Sequence, residues 1–253
     1  MKKLQLSLLL LSTTILLAGC QSVENKEGFF YGTFVKPMNW ALDTLGNAFD
    51  GSYGLTIIAI TLIVRLILLP FMLKTYKSQS EMKVKMDRVR PQMTDIQTRL
   101  KEAKTQEEKM SVQQEMMALY KEHNLNPLNV GCLPTLIQMP IVMGLYFAIL
   151  NSTEIKTHSF LWFDLGSPDL IMTAIAGIVY FIQARVSLQT VPEAQKAQMK
   201  LMIYISPIMI VFISLSSMAA LPLYWAVGGA FLIIQTYIGR KLYPPAPVAE
   251  KNE

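Results

Sequence analysis

Five apolar segments of near-bilayer length, at about 54–73, 132–150, 169–188, 201–217 and 222–239, constrain this chain more than any other feature of its sequence. A hydrocarbon core about 30 Å thick takes about 20 apolar residues to cross as a helix. Lipid offers no partners to backbone N–H and C=O groups, so such segments must satisfy their own hydrogen bonds as helices. The expectation is an all-α, polytopic membrane protein with five transmembrane helices. Composition agrees, with 52% of the 253 residues hydrophobic and a positive mean hydropathy. The net charge of +5 then bears on topology before it bears on nucleic acid, and no aromatic-interleaved basic patch points to DNA or RNA.

The N-terminus reads as a targeting segment: Lys2 and Lys3, the apolar run Leu8 to Leu17, then Leu17-Ala18-Gly19-Cys20. Small residues leading into a cysteine, followed by polar Gln21-Ser22, resemble a bacterial lipoprotein signal. Residues 1–19 would be removed, and the mature chain would begin at a Cys20 carrying diacylglyceryl and palmitate. The competing reading is an uncleaved anchor helix with an incidental cysteine. Cys132 is the other cysteine, so lipidation of Cys20 leaves no intramolecular disulfide.

Cationic side chains set the expected orientation. With a lipidated N-terminus outside, residues 74–127 form the first internal loop and hold eleven Lys and Arg; all internal segments together hold seventeen, against three outside (Lys26, Lys36 and Lys156). That split predicts the N-terminus outside and the C-terminus in the cytoplasm. Within the loop, Met82, Met86, Val89, Met93, Ile96 and Leu100 recur at alternating spacings of four and three, the seam of a coiled-coil-like helix. Thr105-Gln106-Glu107-Glu108 is a capping box, Val112, Met116 and Leu119 continue the stripe, and Asn124 to Pro127 end it. The loop is therefore expected to be a cytoplasmic antiparallel helical hairpin, bent near Pro91. Residues 20–53 form an extracellular segment in which Pro37-Met38-Asn39-Trp40 leads into Leu42, Leu45 and Phe49, an amphipathic helix suited to the outer interface. Residues 54–240 make up the five-span core, and 241–253 a short cytoplasmic tail.

Polar residues inside the spans share a depth. Arg65 lies about eight residues, about 12 Å of helix rise, from the inner end of the first span. Gln138, Gln183 and Gln235 lie about five or six residues from the inner ends of theirs. If these side chains face inward, they line a recess open to the cytoplasm and closed outside. Apart from Asp169 at the outer end of the third, no Asp or Glu occurs in a span, so Arg65 has no carboxylate partner at its own depth. Its charge must be met by water, lipid phosphate or a negative group carried by another molecule; snorkelling to the interface is the alternative. The missing carboxylate also weakens a proton-coupled transporter.

Enzymatic chemistry finds no constellation. His123 and His158 fall in loops on opposite sides, too far apart for a metal or triad site, and the serines of the fourth span have no base at their level. Neither a cofactor nor a metal is expected. Gly228-Gly229 lacks phosphate-loop context and reads as close helix packing. Sixteen methionines, several on the hairpin, suit core filling and surfaces that accept varied apolar partners.

These residues resemble the YidC/Oxa/Alb family of membrane-protein insertases, in its five-span, lipoprotein-type Gram-positive form. The resemblance covers about residues 35 to 240. It rests above all on EMMALYKEHNLNPLNVGCLPTLIQMPI, Glu115 to Ile141, and on Thr61-Leu62-Ile63-Val64-Arg65, Phe181-Ile182-Gln183 and Leu223-Tyr224-Trp225. It implies a polar, positively charged inner-leaflet groove with Arg65 as its arginine and Thr61, Gln138, Gln183, Tyr224 and Trp225 as lining or substrate-contacting positions. It further implies that newly made membrane proteins are the substrates, with the Sec translocon, the ribosome and anionic lipids as candidate partners, in the bacterial cell membrane. One departure stands out: where the family often carries an asparagine after the Tyr-aromatic pair, this chain has Gly228-Gly229. The alternatives to insertion are a passive assembly chaperone or scaffold and, further off, a small channel or transporter.

Overall fold

The computed structural model describes residues 26–125, 132–191 and 193–244, together with the side chains of those residues except 132–137, 193–195, 198 and 202. The leader, Cys20 and the C-terminal tail from 245 lie outside the described residues. The described chain is overwhelmingly helical, as the apolar patterning predicts.

A short helix, Gly28–Phe30, passes through a π-helical turn, Tyr31–Val35, into α1 (Lys36–Ala48). Pro37 sits in the first turn of α1, where its missing N–H costs nothing. The continuous helical stretch from Gly28 to Ala48 buries Val35 and Leu42 and leaves Phe29 and Trp40 largely exposed. It is longer than its amphipathic stripe suggested, and it packs against α2 (Tyr53–Arg88) and α5 (Cys132–Asn151).

Helix α2 has 36 residues and therefore runs about 54 Å. Its apolar part is followed without a break by Lys74 to Arg88, because nothing in TYKSQSEMKVKMDR interrupts a helix. The first span and the first arm of the expected hairpin are thus one rod. The rod ends at Val89, and α3 (Arg90–Glu102) restarts with Pro91 in its first turn, the bend anticipated there. After a three-residue turn, α4 (Gln106–Glu122) begins on Thr105, whose Oγ1 accepts from Glu108 N at 3.1 Å. Glu108 Oε2 in turn accepts from Thr105 N and Lys104 N at 3.0 and 2.8 Å. The capping box is complete, and such a cap is worth about 1 kcal/mol. Met82, Met86, Val89, Met93, Ile96, Val112 and Leu119 bury one another in a cluster of their own, with Leu100 and Met116 against it. Arg99 bridges from α3 to Glu115 on α4 while also pairing with Asp95 at 3.0 Å. Asn124 closes α4 in the left-handed region, φ 51°.

The far end of the bundle carries α6 (Thr153–Thr157) and a two-stranded antiparallel hairpin, β1 (Ser159–Phe160) with β2 (Phe163–Asp164), in register Phe160 opposite Phe163. Helices α7 (Leu170–Leu188), α8 (Glu193–Ser214) and α9 (Ala220–Leu242) follow. Asp169 caps α7 by accepting from Met172 N at 2.6 Å. Helix α9 packs along both α2 and α7, and α8 lies against α7. Among the described residues α2, α7 and α9 are long and apolar enough to cross a membrane, with shorter apolar stretches at Gln138–Asn151 and Met199–Ser214.

Candidate functional site

The main apolar core occupies one half of the bundle. It is built from Tyr53, Ile57 and Ile60 of α2, Leu145, Ala148 and Ile149 of α5, Met172 and Ala176 of α7, and Leu221, Leu223, Tyr224 and Ala226 of α9, all at the end that carries the β-hairpin. Phe163 and Leu165 from the β-hairpin and Ile155 from α6 plug that end. Toward the α3–α4 pair the composition changes, and polar side chains enter the interior.

Arg65 is the first of them, one turn beyond Thr61 on α2. Its guanidinium lies against the backbone of α9 at Gly228: a Cβ built on that glycine would be 3.2 Å from Nη2 and 3.8 Å from Nε. Tyr180 of α7 and Tyr224 of α9 are close enough to interact electrostatically with the Arg65 charge. Gly229 takes the other flank, where a Cβ would meet Val179 at 2.8 Å and the Tyr180 ring at 3.1 Å. The two glycines therefore bring α9 into contact with the arginine of α2 and with Tyr180 of α7, the close packing expected of the pair. Gly228 is thus a seat for the guanidinium. Among the described residues Arg65 forms no ion pair.

The other sequence-derived positions divide. Tyr224 is 4% exposed, and its hydroxyl donates to the Val142 carbonyl at 3.4 Å, tying α9 to α5 beside Arg65. Thr61 is fully buried and donates to the Ile57 carbonyl of its own helix at 2.6 Å, so it offers its methyl face and no free donor. Trp225 is half-buried and packs against the apolar core. Gln183 is half-buried, with Nε2 donating to Ser187 Oγ at 2.9 Å. Gln138 Nε2 and Gln235 Nε2 are buried and have no hydrogen-bond partner among the described residues.

Two contributors escaped the sequence reading. Tyr180 lies one turn before Gln183 on α7, so helical spacing from the depth-selected Gln183 would have put it on the same face. Tyr76 shares a hydrogen bond with Thr236 Oγ1 across α2 and α9 and stands beside Gln235. Gly239 lets the ring in, since a Cβ there would lie 2.6 Å from Tyr76 Cγ. Together these residues make a polar seam between α2, α7 and α9 running from Arg65 toward the α3–α4 pair. It holds donors, one fixed charge and no nucleophile positioned by a base.

Residues 44–246 match the family described as 60Kd inner membrane protein, a stretch that contains the whole seam and the α3–α4 pair. The chain belongs to the YidC/Oxa/Alb family. Relatives from Staphylococcus aureus strains JH9, Newman and Mu50, each called membrane protein insertase YidC, are 49% identical to it. Each alignment covers 96% of this chain and 87% of the relative. Family membership and the apolar helices make this a multi-pass cell-membrane protein.

Proposed function

We propose that the chain is a membrane-protein insertase working through a hydrophilic, positively charged recess in the inner leaflet. The observation that carries this reading is the division of the bundle: a closed apolar core at the β-hairpin end, and at the other a polar seam headed by an arginine with no ion-pair partner among the described residues. It fits five spans, α2, α5, α7, α8 and α9, with the N-terminus outside, the α3–α4 hairpin and C-terminus in the cytoplasm, and Cys20 as a lipid anchor once residues 1–19 are removed. The relatives' activity supports it.

In this mechanism Arg65, seated on Gly228, holds a positive potential where no carboxylate neutralises it. A substrate's short acidic outer segment, entering from the cytoplasm, is drawn to that charge, and the amides of Gln138, Gln183 and Gln235 replace part of its hydration. The apolar barrier is thereby shortened to the outer half of the bilayer. The substrate's own hydrophobic span then partitions sideways into lipid, at about 25 cal/mol per Å² of apolar surface removed from water, with no nucleotide hydrolysis. The hairpin receives the substrate on a surface where Met110 and Met117 stand exposed. Nascent membrane proteins are the substrates in this scheme, with the Sec translocon and ribosome as partners at the cytoplasmic face.

A passive assembly chaperone would need the hairpin surface and not the charge. The separating experiment is insertion of a single-span substrate with an acidic outer tail into proteoliposomes, comparing wild type, Arg65→Lys and Arg65→Ala at equal protein levels. Hydrogen bonds to charged groups are worth about 1.5–3 kcal/mol, so Ala is expected to lower insertion on the order of tenfold or more while Lys retains most of it. Full activity in Arg65→Ala would favour the chaperone.

A further inference from the structure

The pocket between the root of the hairpin and the ends of α7 and α9 has no part in the insertion scheme. It holds about 130 Å³ and is walled by Tyr76, Ser80 and Lys83 of α2, the Gln189 turn after α7, and Arg240 and Tyr243 at the end of α9. Among the described residues no carboxylate lines it. The Gln189 turn organises the two cations: Lys83 Nζ donates to the Gln189 carbonyl at 3.1 Å, and Arg240 Nη1 donates to Gln189 Oε1. Each cation keeps further N–H donors, three on an ammonium and five on a guanidinium in all. The hydroxyls of Ser80 and Tyr243 make no hydrogen bond among the described residues, so they too are available.

Depth assigns the ligand. Gly239 and Tyr76 are in contact, which sets the two helices level, and on both the apolar run ends here: Lys74 and Lys77 follow Leu73, and Arg240 and Lys241 follow Ile238. From that level the pocket extends seven residues along α2, from Tyr76 to Lys83, and four along α9, from Gly239 to Tyr243, about 10 and 6 Å. The headgroup layer on one side of a bilayer is about 5–8 Å deep. The pocket therefore occupies the headgroup layer, with two cations and free hydroxyls facing one another across it.

We propose that this pocket binds the phosphodiester headgroup of an anionic phospholipid of the inner leaflet. Basic pockets between membrane helices on the cytoplasmic side suit such headgroups. A lipid held there would join the hairpin root, the α7–α8 turn and the end of α9 in one contact. The inference uses the membrane placement proposed above and is independent of the insertion role of Arg65.

The test is native mass spectrometry of the detergent-purified full chain. It compares retention of phosphatidylglycerol with that of phosphatidylcholine of the same acyl chains, and competes each with inorganic phosphate. Wild type is expected to prefer phosphatidylglycerol and to resist competition. If each pocket cation in direct contact with the headgroup is worth about fivefold, the scale of one basic residue against anionic lipid, Lys83→Gln with Arg240→Gln should reduce that preference roughly 25-fold. Lys77→Gln, with its charge at the same depth but outside the pocket, should leave the preference intact. Equal retention of the two lipids would overturn the proposal, as would equal losses in the pocket variant and in Lys77→Gln. Displacement by inorganic phosphate would assign the pocket to a soluble anion and overturn the lipid. A merely structural role for Lys83 and Arg240 would lower the thermal midpoint without changing the ratio between lipids, and would also overturn it.

Discussion

A charged side chain at the middle of a membrane helix costs about 2.5–3.5 kcal/mol on insertion scales, so Arg65 needs a physical reason for its place. The bundle supplies one in the seat at Gly228 and in the two phenols of Tyr180 and Tyr224, which stand near the charge without neutralising it. Glycine at 228 leaves room for the guanidinium: an added methyl would stand 3.2 Å from Nη2, so the arginine would have to give by a few tenths of an ångström, and a branched side chain would displace it further. Gly228→Val is therefore expected to lower insertion of an acidic-tailed substrate nearly as far as Arg65→Ala, and Gly228→Ala to lower it less. Both should keep the thermal midpoint within a few degrees of wild type. Measuring the two quantities side by side checks this; wild-type insertion by Gly228→Val would remove Gly228 from the site.

At the scale of the elements, the hairpin is the part whose stability answers to pH. The backbone N–H groups of Thr105 and Lys104 hold the Glu108 carboxyl below the usual carboxylate range. A group whose pKa is lowered by folding contributes fully above its unfolded value, about 4.3, and that contribution disappears as pH falls through the lower folded value. Hydrogen-exchange protection in the first turn of α4 should thus stay level from neutral pH to about 5 and decline in stronger acid. Glu108→Gln can still accept in the capping box, and it should show no such decline. An acid-induced loss that persists in Glu108→Gln would assign it to another group.

The same element shows what a sequence can carry. The seam from Met82 to Leu100, the Thr105 cap and the bend at Pro91 were legible because each depends on residues within a turn or two of one another. The unbroken passage of α2 from bilayer to hairpin was not, since a change from apolar to charged residues marks a change of solvent and leaves helix propensity almost untouched. The β-hairpin at Ser159–Asp164 is too short for its period to register. At the site, depth alone brought Arg65 to the level of the glutamines. Its contact with Gly228 and Tyr180 depends on how α2, α7 and α9 rotate against one another, which no single helix encodes.

For the whole molecule, the core at one end and the polar seam at the other make an asymmetric bundle, and under the proposed function that asymmetry gives insertion its direction. In the proposed scheme the apolar plug of the β-hairpin end is what blocks leakage outward, and the Arg65 potential is what favours negative segments arriving from the hairpin side. The reading therefore predicts that substrate charge and the charge at 65 are coupled. The measurement that tests this most directly is a four-way insertion assay in proteoliposomes: wild type and Arg65→Ala, each with one single-span substrate bearing either an acidic or a neutral outer tail of equal length. Wild type should insert the acidic tail better than Arg65→Ala does, while the neutral tail should differ little between them. An equal loss for both tails in Arg65→Ala, or none for either, would contradict a recess that acts through its positive charge.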